Sequence, residues 1–298
     1  MLKADNPSRL KITREKPLVM GILNVTPDSF SDAGSFFDTP CALRRALQMM
    51  DEGADIIDVG PESTRPGATP VETDEQIRRA VGVIEVLRSH DKNIAVSIDT
   101  RDAEVARVAL ESGADIVNDV SALRGDARMA GVVSRSGAWV VLMHMRGQPE
   151  TMQRGGGPRY DDVVAEVCTF LRERRDFAVG AGIPRERIIL DPGIGFGKRV
   201  EHNWALLGAV DRIVSIGQPV LIGASRKRFL ATTGKGNDPK SRLVGSIACA
   251  VVAATKGASV LRVHDVAETV EALGVVQEID GIDLATDKDE CCNASQVF

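Results

Sequence analysis

Gly53-Ala54-Asp55-Ile56-Ile57-Asp58-Val59 and, further along, Gly113-Ala114-Asp115-Ile116-Val117-Asn118-Asp119 are the stretches that decide the fold. Each opens with a glycine of the kind that ends a helix in the left-handed conformation. Each continues into a short β-branched run and closes on polar side chains. Gly137-Ala138 and Gly257-Ala258 repeat the opening ahead of Trp139–Met143 and Val260–Val263. With Leu18–Leu23, Ile94–Ile98, Ile188–Leu190 and Val220–Ile222, the chain carries eight such apolar runs. Most are continuous rather than alternating, as strands buried on both faces of a parallel sheet require. Helical periodicity lies between them, over Ala42–Met50 and Ile77–Leu87 for example, and Thr39-Pro40 and Asp238-Pro239 each place an N-cap side chain before a proline of preset φ. Eight αβ units without a linker imply one α/β domain, a (β/α)8 TIM barrel over residues 17–282 with long βα loops 1 and 2. An N-terminal extension (1–16) and a polar tail (283–298), for which no order is expected, flank it.

Composition agrees with a soluble globular enzyme. Of 298 residues, 43% are hydrophobic and 27% charged, enough apolar side chain for a large core. The 37 basic and 42 acidic residues leave a net charge of −5, which speaks against a nucleic-acid partner. The charged N-terminus has no apolar signal region, and the most apolar later stretch, Ile247–Ala254, is too short to span a bilayer, so a cytoplasmic location without membrane association is expected. Cysteines 41, 168, 249, 291 and 292 are scattered, with neither CxxC spacing for zinc nor a secreted disulfide framework. Ser295, not cysteine, stands where a prenylation signal would need one.

A barrel enzyme keeps its chemistry at the C-terminal ends of its strands. Those ends read Asn24, Asp58, Asp99, Asn118 with Asp119, His144, Asp191, Ser225, then Arg262 and His264. A cap for the following helix is the competing reading of any single Asp. For the set it is inadequate, because Arg262 and His264 cannot serve as N-caps. Asp58, Asp99, Asn118 and Asp191 supply acceptors for a ligand rich in N–H donors, whereas Arg65, Lys227, Arg262 and His264 supply donors for an anion. A polar heterocycle carrying phosphate satisfies both. The stretch Gly193-Ile194-Gly195-Phe196-Gly197-Lys198 matches neither nucleotide fingerprint, and its glycines serve instead to bend a loop and bring Phe196 beside a ligand. The loops Asn24–Asp32 and Gly60–Gly67 are rich in turn formers and hydroxyls, as lids over anionic substrates are.

The strings MGILNVTPDSFSD (Met20–Asp32), ESTRPG (Glu62–Gly67), LDPGIGFGK (Leu190–Lys198), SRK (Ser225–Lys227) and RVHDV (Arg262–Val266), in this order, closely resemble dihydropteroate synthases. The resemblance runs from about Pro17 to Ile279. It implies condensation of 6-hydroxymethyl-7,8-dihydropterin pyrophosphate with p-aminobenzoate, giving 7,8-dihydropteroate and pyrophosphate. Carried over position by position, it implies pterin contacts from Asp58, Asp99, Asn118, Met143, Asp191 and Lys227. Asn24, Thr64, Arg65, Arg262 and His264 would meet pyrophosphate, with Asn24 also on Mg²⁺. Pro66, Phe196, Ser225 and Lys227 would meet p-aminobenzoate, and Asp99, Lys227, Arg262 and His264 would carry catalysis. A homodimer is implied as well.

Two departures stand out: Pro61 replaces the second glycine of the family's usual Gly-Gly-Glu-Ser-Thr, and Gly155–Gly157 are extra. Acquired, sulfonamide-insensitive relatives also carry a proline after the strand-two glycine, and proline stiffens the loop lining the p-aminobenzoate pocket. Better discrimination against sulfonamides is therefore expected. The nearest rival, a pterin-dependent methyltransferase, would need no pyrophosphate anchor of the Ser225–Lys227 and Arg262–His264 kind. A non-catalytic pterin-binding barrel would bind the pterin without turnover.

Overall fold

The strands form where the β-branched runs are, and they are buried along their whole length except at Leu18, Ile22, Asn24 and Arg262. In the computed structural model, which describes residues 10–12, 16–25, 39–62, 71–147, 158–232 and 238–280, the order is β1 (Leu18–Asn24), α1 (Thr39–Asp51), β2 (Ile56–Gly60), α2 (Thr73–His90), β3 (Ala95–Asp99), α3 (Ala103–Glu111), β4 (Ile116–Asp119) and α4 (Met129–Ser136). It continues β5 (Trp139–Met143), α5 (Val163–Gly180), β6 (Ile188–Asp191), α6 (Val200–Gly208), α7 (Val210–Val214), β7 (Leu221–Ile222), α8 (Leu243–Thr255), β8 (Val260–Val263) and α9 (Val266–Asp280). All eight runs read from the sequence became strands. They pair in parallel in the order β6-β5-β4-β3-β2-β1-β8-β7. A bridge between Leu190 and Val220, with the Leu190 N–H donating to Pro219 O at 2.9 Å, brings β6 against β7 and completes the barrel. Pro219 has no N–H to give a ladder, which accounts for the brevity of β7.

The repeated Gly-Ala-Asp opening has a physical basis. Gly53, Gly113, Gly137 and Gly257 all sit at positive φ, ending one helix and turning the chain into the next strand. The aspartate that follows grips the neighbouring strand: Asp55 Oδ2 accepts from Val19 N at 2.8 Å and Asp115 Oδ2 from Val96 N at 3.0 Å. Arg88 of α2 ties Asp115 down from outside and also donates to Gly113 O at 2.7 Å. Of the two Thr/Asp-Pro openings, Thr39-Pro40 starts α1, while Asp238-Pro239 leads into a 3-10 turn, Pro239–Arg242, that precedes α8.

Apolar side chains divide into two layers. One lies between strands and helices, with Ile57, Val59, Ile84, Leu87, Val117 and Leu171 at its centre. The other fills the barrel interior with Met20, Ile56, Ile116, Trp139, Val141, Ile189, Leu221 and Val260. Leu10 is buried in this inner cluster with Ile12 beside it, so part of the N-terminal extension packs under the barrel. The interior floor is therefore solid, and the buried carboxylates Asp58, Asp99 and Asp191 stand toward the other mouth. The tail 283–298 and the expected lid loops, 26–32 and 63–67, lie outside the described residues.

Candidate active site

Strand register sets the polar residues at one height. Asp58 pairs across from Ile22 and Ser97, Asp99 from Asn118, and Asp191 from Met143, while Arg262 lies opposite Met20. Asp58, Asp99, Asn118 and Asp191 are all buried. Their charges meet at Arg262, whose guanidinium donates from Nε to Asp58 Oδ2 at 2.6 Å and from Nη2 to Asp99 Oδ2 at 2.7 Å. Asn118 Nδ2 adds a weaker contact to Asp58 Oδ2 at 3.3 Å. The division into an acceptor end and an anion end expected from sequence is thus not a spatial one. Arg262 sits between two of the acceptors, because two carboxylates so deeply buried need a cation between them.

Asp99 Oδ1 is buried and has no hydrogen-bond partner among the described residues. Burial, against the pull of Arg262 and helped by the nearby Asp58 carboxylate, pushes the Asp99 carboxyl up to about 7. Burial also raises Asp191, opposed by Lys227, although its Oδ1 accepts from Gly193 N at 2.6 Å. For Arg262, burial works against the charge, yet Asp58 and Asp99 outweigh it and hold the guanidinium above its ordinary value.

Across the mouth, Lys227 Nζ donates to Ile194 O and lies 4.5 Å from the centre of the Phe196 ring. Burial lowers this lysine to about 8, with Asp191 pulling the other way. Met143, Val120 and Met145 form a small apolar wall on which Phe196 packs. The glycines of this loop do what the sequence reading required. A Cβ on Gly193 would stand 2.0 Å from His144 O, and one on Gly197 2.1 Å from Arg146 O, both at positive φ. Next to Lys227, Ser225 Oγ is 3.0 Å from His264 Nδ1 and accepts from His264 N at 3.2 Å. Asn24, at the end of β1, has its Oδ1 3.6 Å from where a Gly60 Cβ would stand, a place 3.9 Å from the Asp99 Cβ.

Asp58, Asp99, Asn118 and Arg262 therefore form one network; Lys227, Phe196 and Met143 form a second wall; and Ser225 and His264 form a linked pair. Thr64, Arg65 and Pro66 lie outside the described residues. Two strand-end residues have structural roles. Asp119 accepts from Ser121 N, Ser121 Oγ and Leu123 N at 2.6–2.8 Å and so holds the left-handed turn at Ala122 and Leu123. His144, lowered to about 2 by burial and by Lys198, is packed edge-on against Phe170.

Sequence reasoning assigned no role to Lys198. Its ammonium is buried among His144 Nδ1 (2.9 Å), Gly193 O (2.9 Å), Phe196 O (3.1 Å) and His144 O (3.2 Å). It fastens the loop that carries Phe196. A lysine ending a glycine-rich loop gives no sign of this, since its partners are carbonyls supplied by two different strand ends.

A closed parallel barrel with a mouth of carboxylates, an amide, an apolar wall and an arginine–histidine pair defines a barrel enzyme for a polar heterocyclic substrate. The pterin binding enzyme family profile matches residues 20–264, and the chain belongs to this family. Within it the chain belongs to the dihydropteroate synthases, transferases of folate synthesis. Dihydropteroate synthase of Escherichia coli (strain K12) is 45% identical over 261 residues, covering 88% of this chain and 91% of that protein. Xanthomonas albilineans dihydropteroate synthase, solved with 4-aminobenzoic acid, superposes with a TM-score of 0.84 at 45% identity, over 91% of this chain and 96% of that one. The Yersinia pestis enzyme in a sulfonamide drug complex gives a TM-score of 0.85 at 41% identity, over 92% and 98%.

Proposed function

We propose that this chain joins 6-hydroxymethyl-7,8-dihydropterin pyrophosphate to p-aminobenzoate. The observation that carries the reading is the buried Asp99 carboxylate, bound on one oxygen by Arg262 and without a partner on the other among the described residues, beside Asp58, Asn118 and Asp191. Such a set of acceptors calls for N–H donors, and a pterin's 2-amino and ring N–H groups supply them. A Xanthomonas albilineans relative has been solved in complex with 7,8-dihydropteroate, the product the reading requires.

In this scheme Asp191 accepts from the pterin 2-amino and N3 groups, Asp58 and Asn118 complete the floor, and Met143 packs on the ring. Arg262 and His264 bind the diphosphate with Asn24, Thr64 and Arg65. The C–O bond to the pyrophosphate breaks with its electron pair leaving on oxygen, and donors at that oxygen stabilise the developing charge. The carbocation left on the pterin methylene is stabilised by the Asp99 carboxylate. The p-aminobenzoate nitrogen then forms the C–N bond and loses a proton to the solvent or to the departing pyrophosphate. Ser225, Lys227, Phe196 and Pro66 hold the aromatic acid, and loops 1 and 2 keep out water that would otherwise capture the cation.

Mg²⁺ fits this donor set as a substrate-borne ion. No three His, Cys, Asp or Glu side chains are grouped for a metal among the described residues, while Asn24 offers one hard amide oxygen near the mouth. Mg²⁺ is commonly held by one or two protein oxygens with substrate phosphates. Bound there, it would offset diphosphate charge. The same reading makes the protein a cytoplasmic homodimer; among the described residues no helix is long and apolar enough to cross a membrane. It also assigns sulfonamide discrimination to Pro61, whose carbonyl is held by Arg79 Nη1 at 3.0 Å.

The test is pyrophosphate release from the dihydropterin substrate with Mg²⁺, with and without p-aminobenzoate, with the product identified by mass. Dihydropteroate is expected only with both substrates. Pterin binding without product would refute the reading in favour of a binding barrel, and methyl transfer from methyltetrahydrofolate would refute it in favour of a methyltransferase.

A further inference from the structure

Between Ser225 and Lys227, whose side chains both reach the mouth, stands a residue that does not. Arg226 has a φ of 56°, a left-handed conformation that non-glycine residues occupy only when their surroundings fix it. The surroundings here are specific. Arg226 N donates to Ser246 Oγ at 2.8 Å, and Arg226 O accepts from Arg242 Nη1 at 2.9 Å. Ser246 Oγ in turn donates to Arg242 O at 2.7 Å, so both backbone polar groups are held from the start of α8. The guanidinium turns to Asp265, donating from Nε to Oδ2 at 3.0 Å and from Nη2 to Oδ1. Asp265 is itself buried and anchored, its carbonyl accepting from Thr269 Oγ1 at 2.6 Å in the first turn of α9. It directly follows His264, whose carbonyl is held by Arg45 Nη2 of α1 at 3.0 Å.

We infer that Arg226 is a positioning residue: with Asp265 it clamps the β7 loop bearing Ser225 and Lys227 onto the end of β8 bearing Arg262 and His264, making the aromatic-acid subsite and the anion anchor one rigid body. A two-pronged arginine–carboxylate pair fixes orientation as well as distance, which a lysine in its place cannot do. The left-handed turn is what lets successive residues face the mouth, the clamp and the mouth again. The Ser225–His264 contact, at 3.0 Å, is the link across the seam that the clamp holds closed. This inference rests on the assignment of Ser225 and Lys227 to p-aminobenzoate and of His264 and Arg262 to pyrophosphate.

The experiment compares Arg226→Gln, Arg226→Lys, Arg226→Gly, Asp265→Asn and the Arg226→Gln/Asp265→Asn double variant. Arg226→Gly keeps the turn without strain and loses only the clamp, so it remains informative where another variant folds poorly. Loosening a prepositioned site by an ångström costs on the order of 10- to 100-fold. The expected result is a loss of this size in kcat/KM for p-aminobenzoate, carried by KM, in Arg226→Gln and Arg226→Gly, with partial rescue in Arg226→Lys. The double variant should be no worse than the worse single one, because both remove the same contact. Inorganic pyrophosphate binding by calorimetry is expected to weaken in the same variants. That measurement stands even if the wild type makes no dihydropteroate, so failure of the proposed function and failure of the clamp are separable. Additive losses in the double variant, or losses that merely follow melting temperature as they do in an Ala106→Gly control in α3, would overturn the inference.

Discussion

Replacing Arg262 by methionine probes the centre of the site, because it removes the cation while keeping much of its bulk. In the wild type the guanidinium lies 2.6 Å from Asp58 and 2.7 Å from Asp99, carboxylates that are 0% and 4% exposed. Breaking a buried pair from one side costs about 3–5 kcal/mol, since the stranded charge cannot return to water. At about 2–4 °C per kcal/mol for a domain approaching this size, melting should fall by roughly 6–20 °C. The loss should also depend on pH in a definite direction. Without Arg262, Asp99 loses the one strong influence that lowers a carboxyl already pushed up to about 7 by burial. The folded variant then binds a proton that the unfolded chain, with an ordinary carboxyl near 4, has released. Its stability therefore falls as pH rises, and the deficit against wild type should be large at about pH 8.5 and much smaller at about pH 5.5. Thermal melting of both proteins at the two pH values reads this directly. Adding Asp58→Asn should recover part of the deficit, with a coupling of about 0.5–3 kcal/mol. An equal deficit at both pH values, with no recovery in the double variant, would refute the claim that Arg262 is there to neutralise the buried carboxylates.

Three other outcomes are expected. The pH profile of kcat/KM should be a narrow bell. It should fall below about 7, as Asp99 takes up a proton and stops accepting, and above about 8, as Lys227 loses the proton it donates; Asp99→Asn should abolish the acid limb of the residual rate. Lys198→Met should remove the donor that ties His144 O, Gly193 O and Phe196 O together and lower stability by about 3 kcal/mol, while raising KM for p-aminobenzoate through the freed Phe196 loop, as melting and steady-state kinetics would show. Pro61→Gly should lower the ratio of sulfonamide Ki to p-aminobenzoate KM by about 2- to 5-fold, the factor that proline stiffening of roughly 0.4–1 kcal/mol corresponds to. Nanomolar sulfonamide inhibition of the wild type would count against any role of Pro61 in discrimination.

The amino-acid sequence by itself determined the barrel. Strands buried on both faces must be continuous and β-branched, and helices that end before such strands must turn through a left-handed residue. Both demands are local, so Ile56–Val59 with Gly53, and Ile116–Val117 with Gly113, are legible without any partner in view. Which ends of the strands carry polar side chains is equally local, and so the ring from Asn24 to His264 was legible too. What each member of the ring does was not. Asp119 and Asp99 look alike in sequence, yet one is consumed by Ser121 and Leu123 and the other keeps a buried oxygen without a partner among the described residues. Arg262, read as an anion anchor, is shared between Asp58 and Asp99, 204 and 163 residues away. Lys198 takes its role from a carbonyl of the β5 loop, His144 O, joined to Gly193 O and Phe196 O of its own loop, and Arg226 takes its role from a carboxylate at the end of β8. Charge pairing and desolvation depend on distances between strand ends far apart in the chain, and those distances exist only once the barrel has closed.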